Sequence, residues 1–298
     1  MKRLINATAS EVLNMSKDEL LMSIKACEGR VILSENVVNR QGPVGNVTNA
    51  EIAKAFGADM ILLNCLDVLN PKIYGLEYGL ENVVDTLHKL VGKPIGVNLE
   101  PVDLNAELME NRIDISIGRQ ANESAIKRAE ELKFDFICFT GNPATGVSNE
   151  GIESAIRLAK ELFNGIIIAG KMHSSGADEP IVDINTVRRF LNAGADIILV
   201  PAVGTVPGFD SANLKEIVKE VHRRGGLIIS AIGTSQESSD SETIRQISIE
   251  NKICGVDIQH IGDDGFGGVA LPENILTMSK AIRGARHTVA IMARSINR

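Results

Sequence analysis

Eight short runs of Ile, Val and Leu recur along the chain, each followed by a stretch with helical periodicity, and this alternation leaves few folds open. The runs are Val31–Leu33, Met60–Asn64, Ile95–Leu99, Phe136–Thr140, Ile166–Ala169, Ile197–Pro201, Leu227–Ala231 and Val256–Gln259. Apolar residues occupy successive rather than alternate positions in them, as in parallel strands buried on both faces. The stretches between are amphipathic: in Ser148–Leu162, Ile152, Ile156, Ala159 and Leu162 fall on one face. Eight β-then-α units in 298 residues predict an α/β fold, a single (β/α)8 or TIM barrel spanning 1–298.

A pseudo-repeat supports the count. The even strands are preceded by an Asp, in Gly57-Ala58-Asp59, Leu132-Lys133-Phe134-Asp135, Gly194-Ala195-Asp196 and Gly255-Val256-Asp257, whereas Gly29, Gly92, Gly165 and Gly226 precede the odd ones. Glycine is favoured just past a helix because it takes the left-handed conformation without a Cβ clash. These Asp residues fall at the amino-terminal ends of the strands, the structural face of a barrel, and are set aside as catalytic candidates.

Before the first strand, residues 1–29 carry a helical pattern over roughly Ala9–Cys27, which either closes the barrel floor or meets another subunit. This segment holds acidic residues and no apolar core of a signal peptide, and no run reaches membrane-spanning length, so a cytoplasmic protein without a membrane partner is expected. The net charge of −7, with no long basic run, argues against nucleic acid as a partner. Cys65, Cys138 and Cys254 lie in or beside apolar runs and Cys27 near a helix end, with no metal or redox spacing among them. The loop at 101–118 is the longest departure from short connections and reads either as a lid or as a plain surface excursion. Association into a homo-oligomer is common for barrels, but no stripe of residues marks an interface.

Active sites of such barrels form where strands end and βα loops begin, so the polar residues there are the candidates. Lys171 and His173, in Ala169-Gly170-Lys171-Met172-His173-Ser174-Ser175-Gly176, are the sharpest. A desolvated lysine forms a Schiff base or carries a proton, and a histidine titrates near neutrality unaided. The bland readings are that Lys171 pairs with Glu100 or a substrate anion and that His173 only bonds its loop. Glu35 and Glu100, with Asn64 and Asn98, make an oxygen-rich set suited to sugar hydroxyls, to general-base work or to Mg²⁺ held largely through water. Asp263 and Asp264 are further metal candidates.

The loops after the seventh and eighth strands supply Thr234, Ser235, His260, Gly262, Gly265, Gly267 and Gly268. Amides of Gly-rich turns there are the habitual phosphate seat of barrels; the alternative is a tight turn with no ligand. A second glycine-containing loop, 140–151, includes Asn142 and leads into a helix that Ser148 or Asn149 can cap.

The whole chain, especially Gly141-Asn142-Pro143-Ala144-Thr145-Gly146-Val147, Gly170-Lys171-Met172-His173 and His260-Ile261-Gly262-Asp263-Asp264-Gly265, resembles a bacterial family of (β/α)8-barrel proteins. Its members often carry the labels haloacid dehalogenase-like hydrolase or phosphoribosylanthranilate isomerase and often accompany sugar phosphotransferase systems. The resemblance implies a phosphorylated sugar or related metabolite as ligand and brings no catalytic residues to transfer. The chain departs from both labels: no strand ends in Asp-x-Asp, and Ser34-Glu35 and Pro201-Ala202 stand where the isomerase would have its Cys and Asp. It is more distantly similar to the phosphoenolpyruvate mutase and isocitrate lyase group, without the Lys-Lys-Cys-Gly-His signature.

Three functions remain in view. The first is a lyase, aldolase or isomerase acting on a small phosphorylated carbohydrate-like metabolite. The second is an Mg²⁺-dependent C–C or P–C lyase using enolate chemistry. The third is a barrel that binds a sugar phosphate and regulates a partner without turnover.

Overall fold

In a computed structural model, which describes residues 2–106, 108, 111–174, 179–262 and 267–298, the strands close into one parallel barrel in sequence order. The strands are β1 (Val31–Val37), β2 (Met60–Asn64), β3 (Ile95–Asn98), β4 (Phe136–Phe139), β5 (Ile166–Gly170), β6 (Ile197–Pro201), β7 (Leu227–Ile232) and β8 (Ile258–Ile261). The helices run α1 (Ala9–Leu13), α2 (Lys17–Lys25), α3 (Asn49–Ala55), α4 (Val83–Val91), α5 (Glu123–Glu131), α6 (Asn149–Leu162), α7 (Ile184–Ala193), α8 (Ser211–Arg223), α9 (Ser241–Cys254) and α10 (Pro272–Ala293). The TIM-barrel expectation holds, with two changes at its seam. β1 runs four residues past the expected end at Leu33, because Asn36 and Val37 still pair with Leu63 and Asn64. β8 starts two residues late, at Ile258, because Asp257 ties down its neighbour instead of continuing the strand.

Strand side chains alternate between two buried clusters, as the period of two demands. Ile32, Ile61, Ile137 and Ile228 pack outward under the helices, while Val31, Leu33, Met60, Leu62, Phe136, Cys138, Ile166 and Ile168 fill the barrel. Gly96 is the inward residue of β3, and a Cβ there would come within 2.1 Å of the Phe136 ring. The missing side chain therefore makes room for the largest group in the barrel.

The amino-terminal segment closes the floor. Leu4, Ile5, Val12, Leu20 and Ile24 belong to the same apolar cluster as the barrel interior. Thr8 and Ser16 begin α1 and α2 with reciprocal capping boxes to Glu11 and Glu19, so two short helices stop and restart where the floor needs a bend.

The Asp residues before the even strands act as two-point clamps on the preceding odd strand. Asp59 N–H donates to the Ile32 carbonyl (2.8 Å) while its Oδ2 accepts from Ile32 N–H (2.9 Å). Asp135 does the same with Ile95, Asp196 with Ile167 and Asp257 with Ile228. Each carboxylate also meets a basic side chain: Arg283, His88, Lys17 and His222 in turn. The glycine half of the repeat is less uniform. Gly29 and Gly92 are left-handed, but Gly165 and Gly226 are not, which corrects the expectation for those two. At Gly165 the constraint is close approach, since a Cβ would lie 2.7 Å from the Asp135 carbonyl oxygen.

Of the four clamps, Asp59–Arg283 is the most buried, with both side chains essentially inaccessible. Truncating one partner leaves the other charge buried and unpaired, which typically costs about 3–5 kcal/mol. Asp59→Ala should therefore unfold at markedly lower urea than Asp135→Ala, whose pair is partly exposed.

Candidate active site

The parity that packs the barrel also builds its mouth. β1 points Val31 and Leu33 inward, so Glu35 follows them; by the same count Asn64 follows Leu62, Asn98 follows Gly96 and Thr140 follows Cys138. On β8, His260 follows Ile258. The carboxyl ends of β1–β4 and β8 thus present a polar layer directly above an apolar one. Over it lies a cavity of about 450 Å³. Glu35, Asn64, Asn98, Thr140 and Asn142 line it, together with His173, Thr234, Ser235 and Glu237. Arg40 and Arg119 also line it, and Ile113 and Ile115 bring the 101–118 loop onto it.

Glu35 is 2% exposed, and its Oε2 lies 2.7 Å from Nε2 of the fully buried His260. Burial, with the carboxylates of Glu100 and Glu237 adding repulsion, pushes Glu35 up to about 8. It is an acid that keeps its proton at neutral pH. His173 is shifted the other way: burial and then the Lys171 charge lower it, against the pull of Glu100, so its imidazole is neutral there.

Glu100 is buried beneath the rim, where it ties two loops together. Its Oε1 accepts from Arg119 Nη2 (2.7 Å) and its Oε2 from the Asn142 backbone N–H (2.9 Å). Asn64 and Asn142 bond reciprocally through their amides (2.8 and 3.0 Å), and Asn98 Nδ2 joins at Asn64 Oδ1 (3.2 Å). Three residues around the mouth hold left-handed backbone despite carrying side chains: Cys65, Thr234 and Ser235, with φ of 61°, 59° and 69°. Such strain collects where structure serves a site.

Several sequence candidates lie elsewhere. Lys171 has outward parity on β5 and is not among the cavity-lining residues; it is buried and paired with Glu179, not with Glu100. Burial lowers it while the Glu179 contact raises it, and the net direction is down. Gly262 N–H donates to the Ile232 carbonyl (2.7 Å), and the carbonyls of Gly267 and Gly268 accept from Asn49 Nδ2 and Val37 N–H. These three glycines brace β7 and the β1 loop and do not line the cavity. Gly265, Asp263 and Asp264 lie outside the described residues. Among the described residues, no group of three His, Cys, Asp or Glu side chains is placed to hold a metal ion, Glu35 and Glu100 included. Sequence reading missed Glu237 and Arg119, which sit on single 3-10 turns too short to carry a periodic signal.

A family profile, described as a domain of unknown function (DUF7916), matches residues 5–298. The chain belongs to the DUF7916 family. No curated protein matches the sequence. Among solved structures, the DUF7916 chain is similar to thiamine phosphate pyrophosphorylase from Pyrococcus furiosus, at TM-score 0.50 and 14% identity, covering 86% of this chain and 97% of that one. It is also similar to a provisionally assigned fructose-1,6-biphosphate aldolase from Coccidioides immitis, at TM-score 0.50 and 17% identity over 92% of each chain. A 2,3-dimethylmalate lyase of the phosphoenolpyruvate mutase/isocitrate lyase superfamily matches at TM-score 0.48 and 11% identity, over 83% of this chain and 81% of that one. At these identities the first two likenesses show the fold alone.

The raised Glu35 has a consequence for the stability of the DUF7916 barrel. Between the ordinary value of 4.5 and about 8, the unfolded chain ionises Glu35 while the folded one does not. This contribution is fully present below about pH 4.5, is lost as pH rises, and is constant above about 8. The melting temperature of Glu35→Gln relative to the native protein should accordingly climb from pH 4.5 to pH 8 and then level off. A difference that stays flat or falls over that range would show that Glu35 is ionised in the fold.

Proposed function

We propose that this barrel is an enzyme of the lyase, aldolase or isomerase type that moves protons on a small phosphorylated, carbohydrate-like metabolite. One observation carries the reading: Glu35 and His173 line the same cavity with environments that push them in opposite directions. At neutral pH one is a protonated acid and the other a neutral base, the pairing that marks acid–base assignments in active sites.

The chemistry follows from that pair. His173 takes a proton from the carbon beside a substrate carbonyl while Glu35 gives its proton to the carbonyl oxygen, leaving an enol. Returning the proton to a neighbouring carbon isomerises the substrate; breaking a C–C bond to reach the same enol is the lyase or aldolase direction. His260, hydrogen-bonded behind Glu35, orients the carboxyl. Lys171 serves this scheme through charge, because its ammonium is among the groups that keep His173 neutral.

Arg119 in the cavity lining suits an anionic group. Arg119 spends one Nη on Glu100, while its buried Nε has no hydrogen-bond partner among the described residues. A phosphate oxygen in the cavity satisfies that donor and adds a charge-assisted bond. Thr234 and Ser235 line the same cavity.

Solvent-proton exchange tests the reading whatever the final product is. Dihydroxyacetone phosphate, ribose 5-phosphate and fructose 6-phosphate, incubated with the protein in deuterium oxide, should give at least one compound that acquires deuterium beside its carbonyl by NMR. The rate should be bell-shaped in pH, with an acid limb from His173 and an alkaline limb near 8 from Glu35. Glu35→Gln and His173→Gln should each slow it about 10²–10⁴-fold. Exchange undiminished in both variants, or absent from the whole panel, would sink the proposal.

A further inference from the structure

The amides at the mouth are oriented by the backbone, and that orientation says what the substrate must bring. Cys65 N–H donates to Asn64 Oδ1 at 2.8 Å, which settles which end of the Asn64 amide is oxygen. Asn98 and Asn142 approach that oxygen at 3.2 and 3.0 Å, so each presents its Nδ2 to it. Turning Asn98 over would set oxygen against oxygen. Its other atom, Oδ1, is therefore held as an acceptor; it is buried and has no hydrogen-bond partner among the described residues.

Thr140 repeats the situation on the next strand. Asn98 pairs in register with Cys138, so Thr140 stands two residues further along the chain with the same inward parity. Its Oγ1 is buried and likewise has no partner among the described residues, and the residue is 1% exposed. Both side chains line the cavity. An unmet buried polar atom weakens the fold, and two of them on adjacent strands in the wall of one cavity are accounted for by a ligand that completes them.

We infer that Asn98 and Thr140 form a recognition site for one substrate hydroxyl, which donates to Asn98 Oδ1 and accepts from Thr140 Oγ1. A hydroxyl can do both at once. A carbonyl oxygen only accepts and leaves Asn98 Oδ1 unmet, while an ammonium donates to both oxygens and leaves the Thr140 hydroxyl proton with no acceptor. The inference rests on the phosphorylated-carbohydrate reading and narrows it: the substrate keeps a free hydroxyl near its reacting carbonyl, and the pair discriminates against deoxy and keto analogues at that carbon. A site built to bond a hydroxyl rejects analogues lacking it far more strongly than an apolar pocket rejects a missing methylene.

Two measurements test this, one of them independent of the substrate. Thr140→Val replaces the hydroxyl by a methyl of the same shape, so it should raise the melting temperature by ~2 °C. A fall would mean that the hydroxyl already has a structural partner, and would overturn the inference. By calorimetry, ribose 5-phosphate and its 1-, 2- and 3-deoxy congeners should separate on the native protein, one congener binding at least ~10-fold more weakly. That gap should close to within ~2-fold in Thr140→Val and Asn98→Ala, with inorganic phosphate bound equally by all three proteins. If inorganic phosphate binds and all four sugars bind alike, the hydroxyl site is wrong while the phosphorylated-ligand reading stands. If neither phosphate nor any sugar phosphate binds, that reading fails and the inference falls with it.

Discussion

The barrel depends on a two-point backbone clamp used four times. In each, an Asp before an even strand exchanges hydrogen bonds with one residue of the odd strand before it, giving its own N–H and taking the neighbour's with its carboxylate. This fixes the register of β1–β2, β3–β4, β5–β6 and β7–β8 at the amino-terminal edge. A one-residue slip in a strand exchanges its two faces, so register decides which side chains enter the barrel. The basic partners of these carboxylates come from floor and wall alike: Lys17 from α2, His88 from α4, His222 from α8 and Arg283 from α10. The clamps thereby tie helices to the edge that sets the register.

Once the register is fixed, the chemistry at the other end follows by counting in twos. Two apolar inward residues and then a polar one describe β1, β2 and β4, so the top layer of the barrel is polar because the layers below it are not. That stacking also desolvates what it displays. Glu35 stands on Leu33 and against His260, with the Glu100 and Glu237 carboxylates near, and burial together with their repulsion favours its neutral form. The same burial keeps His173 neutral. Opposite shifts arise from one cause, since burial opposes charge of either sign.

Some of the mouth is legible in the residues alone. The polar ends of the runs at 64, 98 and 35 are visible as breaks in apolar sequence, and these positions do line the cavity. Lys171 shows where such reading stops. Ile166 to Ala169 is apolar at every position, so the pattern carries no inward or outward label, and only pairing with β4 and β6 reveals that Lys171 follows an inward Gly170. The glycines at 262, 267 and 268 read as a phosphate-binding turn, yet they serve close packing of neighbouring backbone. Glu237 and Arg119 sit on connections without period, and their place at the cavity comes from where the loops fold back.

What the sequence determined by itself is the architecture: eight doubly buried strands, the helices between them and the four clamping Asp residues, because hydrophobic periodicity and local capping act over a few neighbouring positions. What the tertiary structure alone decided is the site. Glu35 and His260 stand 225 positions apart, and Asn64 and Asn142 stand 78 apart. Barrel closure brings each pair within hydrogen-bond reach, and the protonation of Glu35 depends on the low dielectric and the neighbouring carboxylates that the closed barrel creates.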